Sequence, residues 1–572
     1  MLPQIRRRTV ASVPDWPGIP PLLARILAGR GVSAPAQTDL SLKQLPPPDT
    51  LPGIADAVDL LLALRERAGR ILIVGDYDAD GATATSLMLR GLPMLGFEMP
   101  GFLVPDRFVF GYGLSPAIVD LAVAQGAPDL IITVDNGIAS VDGVAAARAA
   151  GIAVVITDHH LPGAELPAAD AIVNPRLQAD GAGHNLAGVG VAFYLLLALR
   201  AALRDKGDEA GKAPLADLLD LVALGTVADV VPLDQVNRAL VEQGLRRIRA
   251  GQCVPGITAL LEVGRRDPAR AVAADLGFAV GPRLNAAGRL DDMALGINCL
   301  LCDDAERALT LATELDTINR ERRGIEQGMR DAAMAYVHAL RERSSILPKA
   351  LCLHDALWHE GVVGILASRV KEATHRPVVA FAPAQEAGLL KGSGRSIPGL
   401  HLRDVLDRVA TANPGLLHRF GGHAMAAGMT LATERLDDFT RAFAQAVDEM
   451  AEPGLFDEVL ETDGALADDE LHIRHAELLS HAFPWGQGFP APSFDGEFEV
   501  IEHRIVGERH LKLTLGLPAT GGIIDGIHFN VDLATLPKPL RRVRGVYRLE
   551  VNVWQGRRSP QLIFQHLEGL AR

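Results

Sequence analysis

A chain of 572 residues is too long for a single hydrophobic core, so several domains are expected. With 48% hydrophobic and 22% charged residues, the composition is that of a folded globular protein and excludes long disordered tracts. The formal net charge of −14 excludes a uniformly basic surface, so any affinity for phosphates has to be local.

In chain order, residues 1–50 form an N-terminal segment. Arg6, Arg7 and Arg8 are followed by Pro14, Asp15 and Pro17 rather than by the apolar core of a secretory signal, so a cytoplasmic protein is expected. From 51 to 302, short β-rich runs (Ile71–Val74, Leu130–Val134, Ala153–Thr157) alternate with helix-like stretches such as Val141 to Ala150, the pattern of β-α-β units around a parallel sheet. Within this part lies the longest apolar run, Val189–Leu199. It stops at Arg200, short of the roughly 18 to 20 residues that cross a bilayer, and no membrane span is expected. Cys253, Cys299, Cys302 and Cys352 are too few for a disulfide framework and fit a reducing compartment. The C-x-x-C of Cys299 and Cys302 encloses two leucines, with no second pair or nearby histidine, and reads as helix core.

Residues 303–343 are rich in Ala, Leu, Glu and Arg and predict a connecting helix or a helical pair. Strand and helix signals resume over 344–452, a second α/β domain. From 453 to 572 short alternating strands with Gly and Pro turns predict a small β-barrel. Its last part, 501–572, carries eleven Lys/Arg against six Asp/Glu, a basic region on an acidic chain. The fold class is therefore multidomain α/β with a C-terminal barrel.

Chemistry concentrates at the ends of the first three strands, where open α/β sheets place ligands. Gly75-Asp-Tyr-Asp-Ala-Asp-Gly81 sets Asp76, Asp78 and Asp80 just past the first strand, and alternate residues of an extended backbone face the same way. Unit charges about 4 Å apart repel by about 4 kcal/mol at an effective dielectric of about 20, so such a cluster calls for cations or protons. Asp135 with the turn pair Asn136-Gly137 ends the second strand, and Asp158-His159-His160 ends the third. Asp229 is a further carboxylate set in apolar sequence. A single aspartate at such a place is most often a helix cap or a turn residue. Three strand ends in succession carrying Asp or His outweigh that reading. Oxygen-rich ligands with an imidazole suit Mn²⁺ or Mg²⁺, and two such ions about 3.5 to 4 Å apart clamp a phosphoryl group and activate water.

Gly75 to Gly81, Val134-Asp-Asn-Gly137, Asp158-His-His160 and Thr226-Val-Ala-Asp229 resemble, in order, the four motifs of the DHH phosphoesterases. Val104 to Phe108, Gly111 to Ser115, Gly281-Pro-Arg-Leu-Asn-Ala-Ala-Gly-Arg289, Trp358 to Gly364 and Gly421 to Gly428 are similar to the single-strand exonuclease branch of that family. The likeness runs from about residue 50 to the C-terminus. It implies two-metal hydrolysis of single-stranded DNA from a free 5′ end, releasing mononucleotides. It places Asp80, Asp135, His159 and Asp229 on one ion, with Asp135 bridging, and Asp76 and Asp78 on the other. His160 is implied to contact the scissile phosphate, so that His160, Asp78, Asp80 and Asp135 form the catalytic set. Where some relatives carry a further histidine ligand, four residues before Asp78, this chain has Val74.

The same resemblance assigns phosphate and strand contacts to Arg107, Arg283, Asn285, Arg289, Ser393, Arg395 and His423. Residues 344–452 then correspond to the DHH-associated domain, and 453–572 to an oligonucleotide-binding (OB) barrel in which Tyr547 and Trp554 lie among Arg548, Arg557 and Arg558. For each aromatic, core packing is as good a reading as base contact, and a packed glycine turn is the lesser reading of Gly421 to Gly428. A monomer acting in recombination and mismatch repair beside a single-strand-binding protein and a RecQ-type helicase is implied. Two alternatives stay open. One is a phosphodiesterase for short oligonucleotides or cyclic dinucleotides, whose members lack the barrel and connector. The other is a non-catalytic replication scaffold, against which the complete Asp and His set speaks.

Overall fold

The computed structural model describes residues 3–105, 110, 112–181, 183–343, 347–507, 509–531 and 540–570. They form two compact units. One comprises Leu315–Val459 with short pieces at Met1–Gln4 and Arg289–Asp291; the other comprises Ile5–Gly288, Asp292–Glu314 and Leu460–Arg572.

The strands in chain order are β1 (Gln4–Arg7), β2 (Ile71–Gly75), β3 (Gly101–Leu103), β4 (Leu130–Val134), β5 (Ala153–Thr157) and β6 (Ala171–Val173). Strands β2 to β6 make a parallel sheet of order β3-β2-β4-β5-β6. Every residue of β2 and β4 is buried, as expected for strands covered on both faces. Leu72, Val74, Ile131, Val154 and Ile156 pack with Ile118, Val119, Val144 and Ala147 on one face. On the other side the helices Ala79–Met94 and Gly188–Asp205 pack together.

The Leu315–Val459 unit holds β7 (Leu351–His354), β8 (Val378–Pro383), β9 (Leu389–Arg395), β10 (Arg419–Gly422) and β11 (Ala426–Ala432), in the order β10-β11-β9-β8-β7. Strict alternation along β8 divides its side chains between two cores. Val379 and Phe381 join the helices Leu402–Ala412 and Leu436–Met450, while Val378, Ala380 and Ala382 join Val363–Thr374 and the long helix at Met329, Ala333 and Val337. The expected connector is one helix, Ala305–Arg343.

After β12 (Val459–Thr462), the strands β13 (Phe494–Val506), β14 (His510–Leu517), β15 (Gly522–His528), β16 (Arg542–Trp554) and β17 (Arg557–Gly569) close into a barrel of order β13-β14-β15-β17-β16. Its core also takes in Leu22 and Ile26 from the helix Pro21–Ala28, so the N-terminal segment is part of the barrel's hydrophobic cluster. Cys299 is buried in the helix Ala294–Leu301, as read from sequence. Among the described residues no helix is long and apolar enough to cross a membrane.

Candidate metal centre and strand-binding residues

Strands β2, β4 and β5 end in register: Gly75 pairs with Val134, and Val134 with Thr157. The next residue of each strand is therefore Asp76, Asp135 and Asp158, side by side at the carboxyl edge. Asn136 fastens two of these ends, its Nδ2 donating to the carbonyls of Val74 and Val134. Asp135 has φ +61°, in the left-handed region that aspartate tolerates better than most residues.

Asp76, Asp78 and Asp80 do not lie on one extended face. Asp78 is the N-cap of the helix Ala79–Met94 and accepts from the amides of Asp80 and Gly81 at 2.9 and 3.1 Å, so Asp80 sits in the first helical turn. The capping role and the site coincide here. The helical turn sends the acids to different clusters. Asp76, Asp78 and Asp135 have ligand atoms within 4.8 Å of one another, and so do Asp80, His159 and Asp229, and Asp135, His159 and His160. His159 Nε2 lies 3.1 Å from Asp135 Oδ1 and 3.4 Å from Asp229 Oδ2. Val74 packs in the apolar cluster beneath the sheet and belongs to none of these groups.

These donors fit divalent cations. Burial first, and then the charge of Asp78, pushes the Asp80 carboxyl up to about 7. Burial and then Asp80 push Asp135 and Asp229 well above the usual carboxylate range. Asp135 Oδ1 is buried and accepts no hydrogen bond from the described residues. A buried, mutually repelling set of oxygens with an imidazole is the environment that Mn²⁺ or Mg²⁺ relieves. Asp80 is held by the amides of Gly188 and Val189 at 2.6 and 2.9 Å, at the positive end of the helix Gly188–Asp205. Close approach needs glycines: a methyl on Gly188 would lie 2.5 Å from Asp135 Cβ, and one on Gly225 would lie 2.8 Å from Asp80 Oδ1.

His160 belongs to the cluster with Asp135 and His159, and its Nδ1 lies 2.7 Å from Asp158 Oδ1. Burial alone would lower its pKa, but the hydrogen bond and charge of Asp158 outweigh it and the imidazole sits above its ordinary value. Tyr112, for which the motif gave no role, donates to the Asp135 carbonyl at 3.1 Å and lies 3.2 Å from His160 Nδ1. Asn285 Oδ1 accepts the amide of Ala79 at 2.7 Å and so fixes the acidic loop. Arg283 was expected to line a channel. It is 7% exposed and its guanidinium donates to the carbonyls of Ala279, in the turn before its helix, and of Val263, at the end of the helix Pro255–Val263, so it ties these elements together. Arg107 lies outside the described residues.

In the Leu315–Val459 unit, Arg395 Nη1 donates to Ser393 Oγ at 3.0 Å and to the Gly394 carbonyl. A methyl on Gly364, in the first turn of Val363–Thr374, would come within 3.0 Å of both Arg395 Nη2 and Ser393 Oγ. Ser393, Gly428 and Gly421 pair across β9, β11 and β10, and Cβ atoms on either glycine would meet nothing within 4 Å. The face at Gly421 and Gly428 is open, while Gly422 between them is a tightly packed turn glycine, with φ +143° and a Cβ position 2.4 Å from the Ala426 carbonyl oxygen. His423 is exposed at its end. Arg289 donates to the Gly361 carbonyl. In the barrel, Tyr547 is 1% exposed and packs against Phe494, Phe498 and Phe564, so it is a core residue and not a base contact. Trp554 is 69% exposed at the tip of the β16–β17 hairpin.

Residues 70–226 match the DHH family N-terminal domain, 345–449 the DHHA1 domain and 462–566 the RecJ OB domain. The chain is 52% identical over 571 residues, 99% of each chain, to the single-stranded-DNA-specific exonuclease RecJ of Salmonella typhimurium. Its fold is similar to that of RecJ from Thermus thermophilus in complex with Mn²⁺, at 31% identity and a TM-score of 0.78 over 96% of this chain and 76% of that one. The Mg²⁺ complex of the Thermus protein matches with a TM-score of 0.72, at 30% identity and 96% and 75% coverage. With all three domain types in order and full-length identity above half, the chain belongs to the RecJ family of DHH proteins.

Proposed function

We propose that this chain is a metal-dependent exonuclease that degrades single-stranded DNA from the 5′ end and releases 5′-mononucleotides. The observation that carries the reading is the convergence of Asp76, Asp78, Asp80, Asp135, His159 and Asp229 into overlapping clusters at one sheet edge, in a chain matched end to end by single-strand-specific relatives. Asp80, Asp135, His159 and Asp229 would hold one cation and Asp76 and Asp78, with Asp135, the other. When bound, such ions supply a nucleophile at neutral pH and polarise the phosphoryl group.

The chain's own groups do the rest. Asp158 orients His160 and favours its charged form, so that Nε2 can donate to a phosphoryl oxygen as negative charge grows there. Tyr112 meets the ring edge-on, its hydroxyl close to the same Nδ1, and so limits its rotation. Arg395, Ser393 and His423, with the bare strip at Gly421 and Gly428, suit a terminal phosphate, and Trp554 suits a stacked base. A monomer in the cytoplasm, acting in recombination and mismatch repair beside a single-strand-binding protein and a RecQ-type helicase, fits the family.

The test is digestion of 5′-labelled and 3′-labelled single strands, and of duplex, in Mn²⁺. Early release of the 5′ label as mononucleotide from single strands alone is expected. Equal release from both ends would overturn the polarity.

A further inference from the structure

Phe278 is 77% exposed, although its neighbours Leu276, Ala279 and Val280 are buried. It sits in a π-helical turn, Leu276–Val280, that leads into the helix Gly281–Leu290. Such wide turns cost hydrogen-bond geometry and cluster at functional sites. This one is pressed onto the last turn of the helix that delivers Asp229. A methyl on Gly277 would lie 3.2 Å from Val227 Cγ1, and one on Gly281 would lie 3.3 Å from Ala228 Cβ. The following helix is tied to the acidic loop as well, through Asn285 and the Ala79 amide and through Gly288, where a methyl would strike the Tyr77 carbonyl at 1.8 Å. The turn that carries Phe278, and the helix after it, are thus fixed to both halves of the metal centre. Val230, directly after Asp229, is 62% exposed with φ +62°, a conformation that β-branched residues rarely adopt.

The chemistry of the surroundings selects the occupant. On the two-cation reading the adjoining acidic clusters take the phosphodiester itself, so the neighbouring bases of the strand are left for other partners. The uncharged bases are the part of a strand that this region can grip, and an outward aromatic ring offers every base the same π-face. On the exonuclease reading, we infer that Phe278 is a base-stacking platform that positions the strand beside the metal centre.

The experiment measures KM and kcat in Mn²⁺ for wild type, F278A and F278W on two 5′-phosphorylated strands of equal length. One is oligothymidylate; the other carries abasic residues near its 5′ end. Loss of a stacked base is expected to raise the wild-type KM about tenfold. F278A should show a similar rise on oligothymidylate and lose the dependence on bases, while F278W should keep it. A KM for F278A equal to that of wild type on oligothymidylate, as a protein-docking role for the ring would give, would overturn the proposal. So would a penalty for base removal as large in F278A as in wild type. If wild type digests neither strand, the exonuclease reading fails instead.

Discussion

Asp158 Oδ1 lies 2.7 Å from His160 Nδ1 and also accepts the backbone amides of His159 and His160, while its Oδ2 accepts that of Ile138. One carboxylate therefore sets the ring and the turn that carries it. Burial would raise the Asp158 pKa, but His160 and these amides hold it below the usual carboxylate range. Asp158→Asn should lower kcat by about 10- to 100-fold, the usual cost of removing an orienting partner, with a smaller change in KM. Steady-state kinetics on a 5′-phosphorylated single strand checks this.

Gly188→Ala should be as harmful as loss of a ligand, although glycine carries no chemistry. Its methyl would sit 2.5 Å from Asp135 Cβ and 2.7 Å from Asp135 Oδ1. Displacing that carboxylate by about 1 Å should cost about 100-fold in activity. The stabilisation that Mn²⁺ gives the wild type in a thermal melt should shrink in parallel.

The metal-free protein should lose stability as pH rises. Asp80 has a folded pKa of about 7 against 3.8 for the ordinary carboxyl, so the folded state binds more protons between these values. Its share of stability is complete below the lower value and is lost as pH climbs through the higher. With chelator the melting temperature should fall from pH 5 to pH 8. Mn²⁺ should raise it more at pH 8, and Asp80→Asn should flatten the chelated profile. A melting curve independent of pH would contradict this.

Arg30 and Asp463 form a two-pronged ion pair at 2.7 and 2.9 Å, with side chains 1% and 2% exposed. Asp463 also accepts the Ser493 amide. Arg30→Met should leave buried Asp463 with only the longer contact of Arg8 Nη1 at 3.4 Å as its cationic partner, and destabilise the unit by up to about 3 kcal/mol, short of the cost of a fully unpaired buried charge. Urea unfolding followed by tryptophan fluorescence is suited to this, because the Arg30 guanidinium lies over the Trp485 ring.

Two barrel aromatics should separate cleanly. Trp554→Ala should weaken single-strand binding by about 1 to 3 kcal/mol with little change in melting temperature, since its ring is exposed. Tyr547→Ala should destabilise the barrel by about 3 to 5 kcal/mol, as for a buried aromatic. Fluorescence anisotropy with a labelled oligonucleotide, paired with thermal melts, reads both.

The sequence by itself determined the parallel sheet and the acids at its edge. A buried parallel strand is a short apolar run, the residue after it lies where ligands collect, and both are local facts. It likewise identified a second α/β domain, the helical connector and the barrel strands. Tertiary structure decided what depends on neighbours far along the chain. Asp78 and Asp80 part company because the chain turns helical at Ala79, which an extended reading of their spacing missed. Tyr112 and Gly188 matter because folding brings them to His160 and Asp135. Arg283 lies inward, donating to the carbonyls of Ala279 and Val263, partners that only the fold brings to it. Tyr547 and Trp554 share one strand and one kind of chemistry, yet one faces the closed barrel and the other stands at a hairpin tip. That choice is made by strand parity and barrel closure, which no single segment of sequence contains.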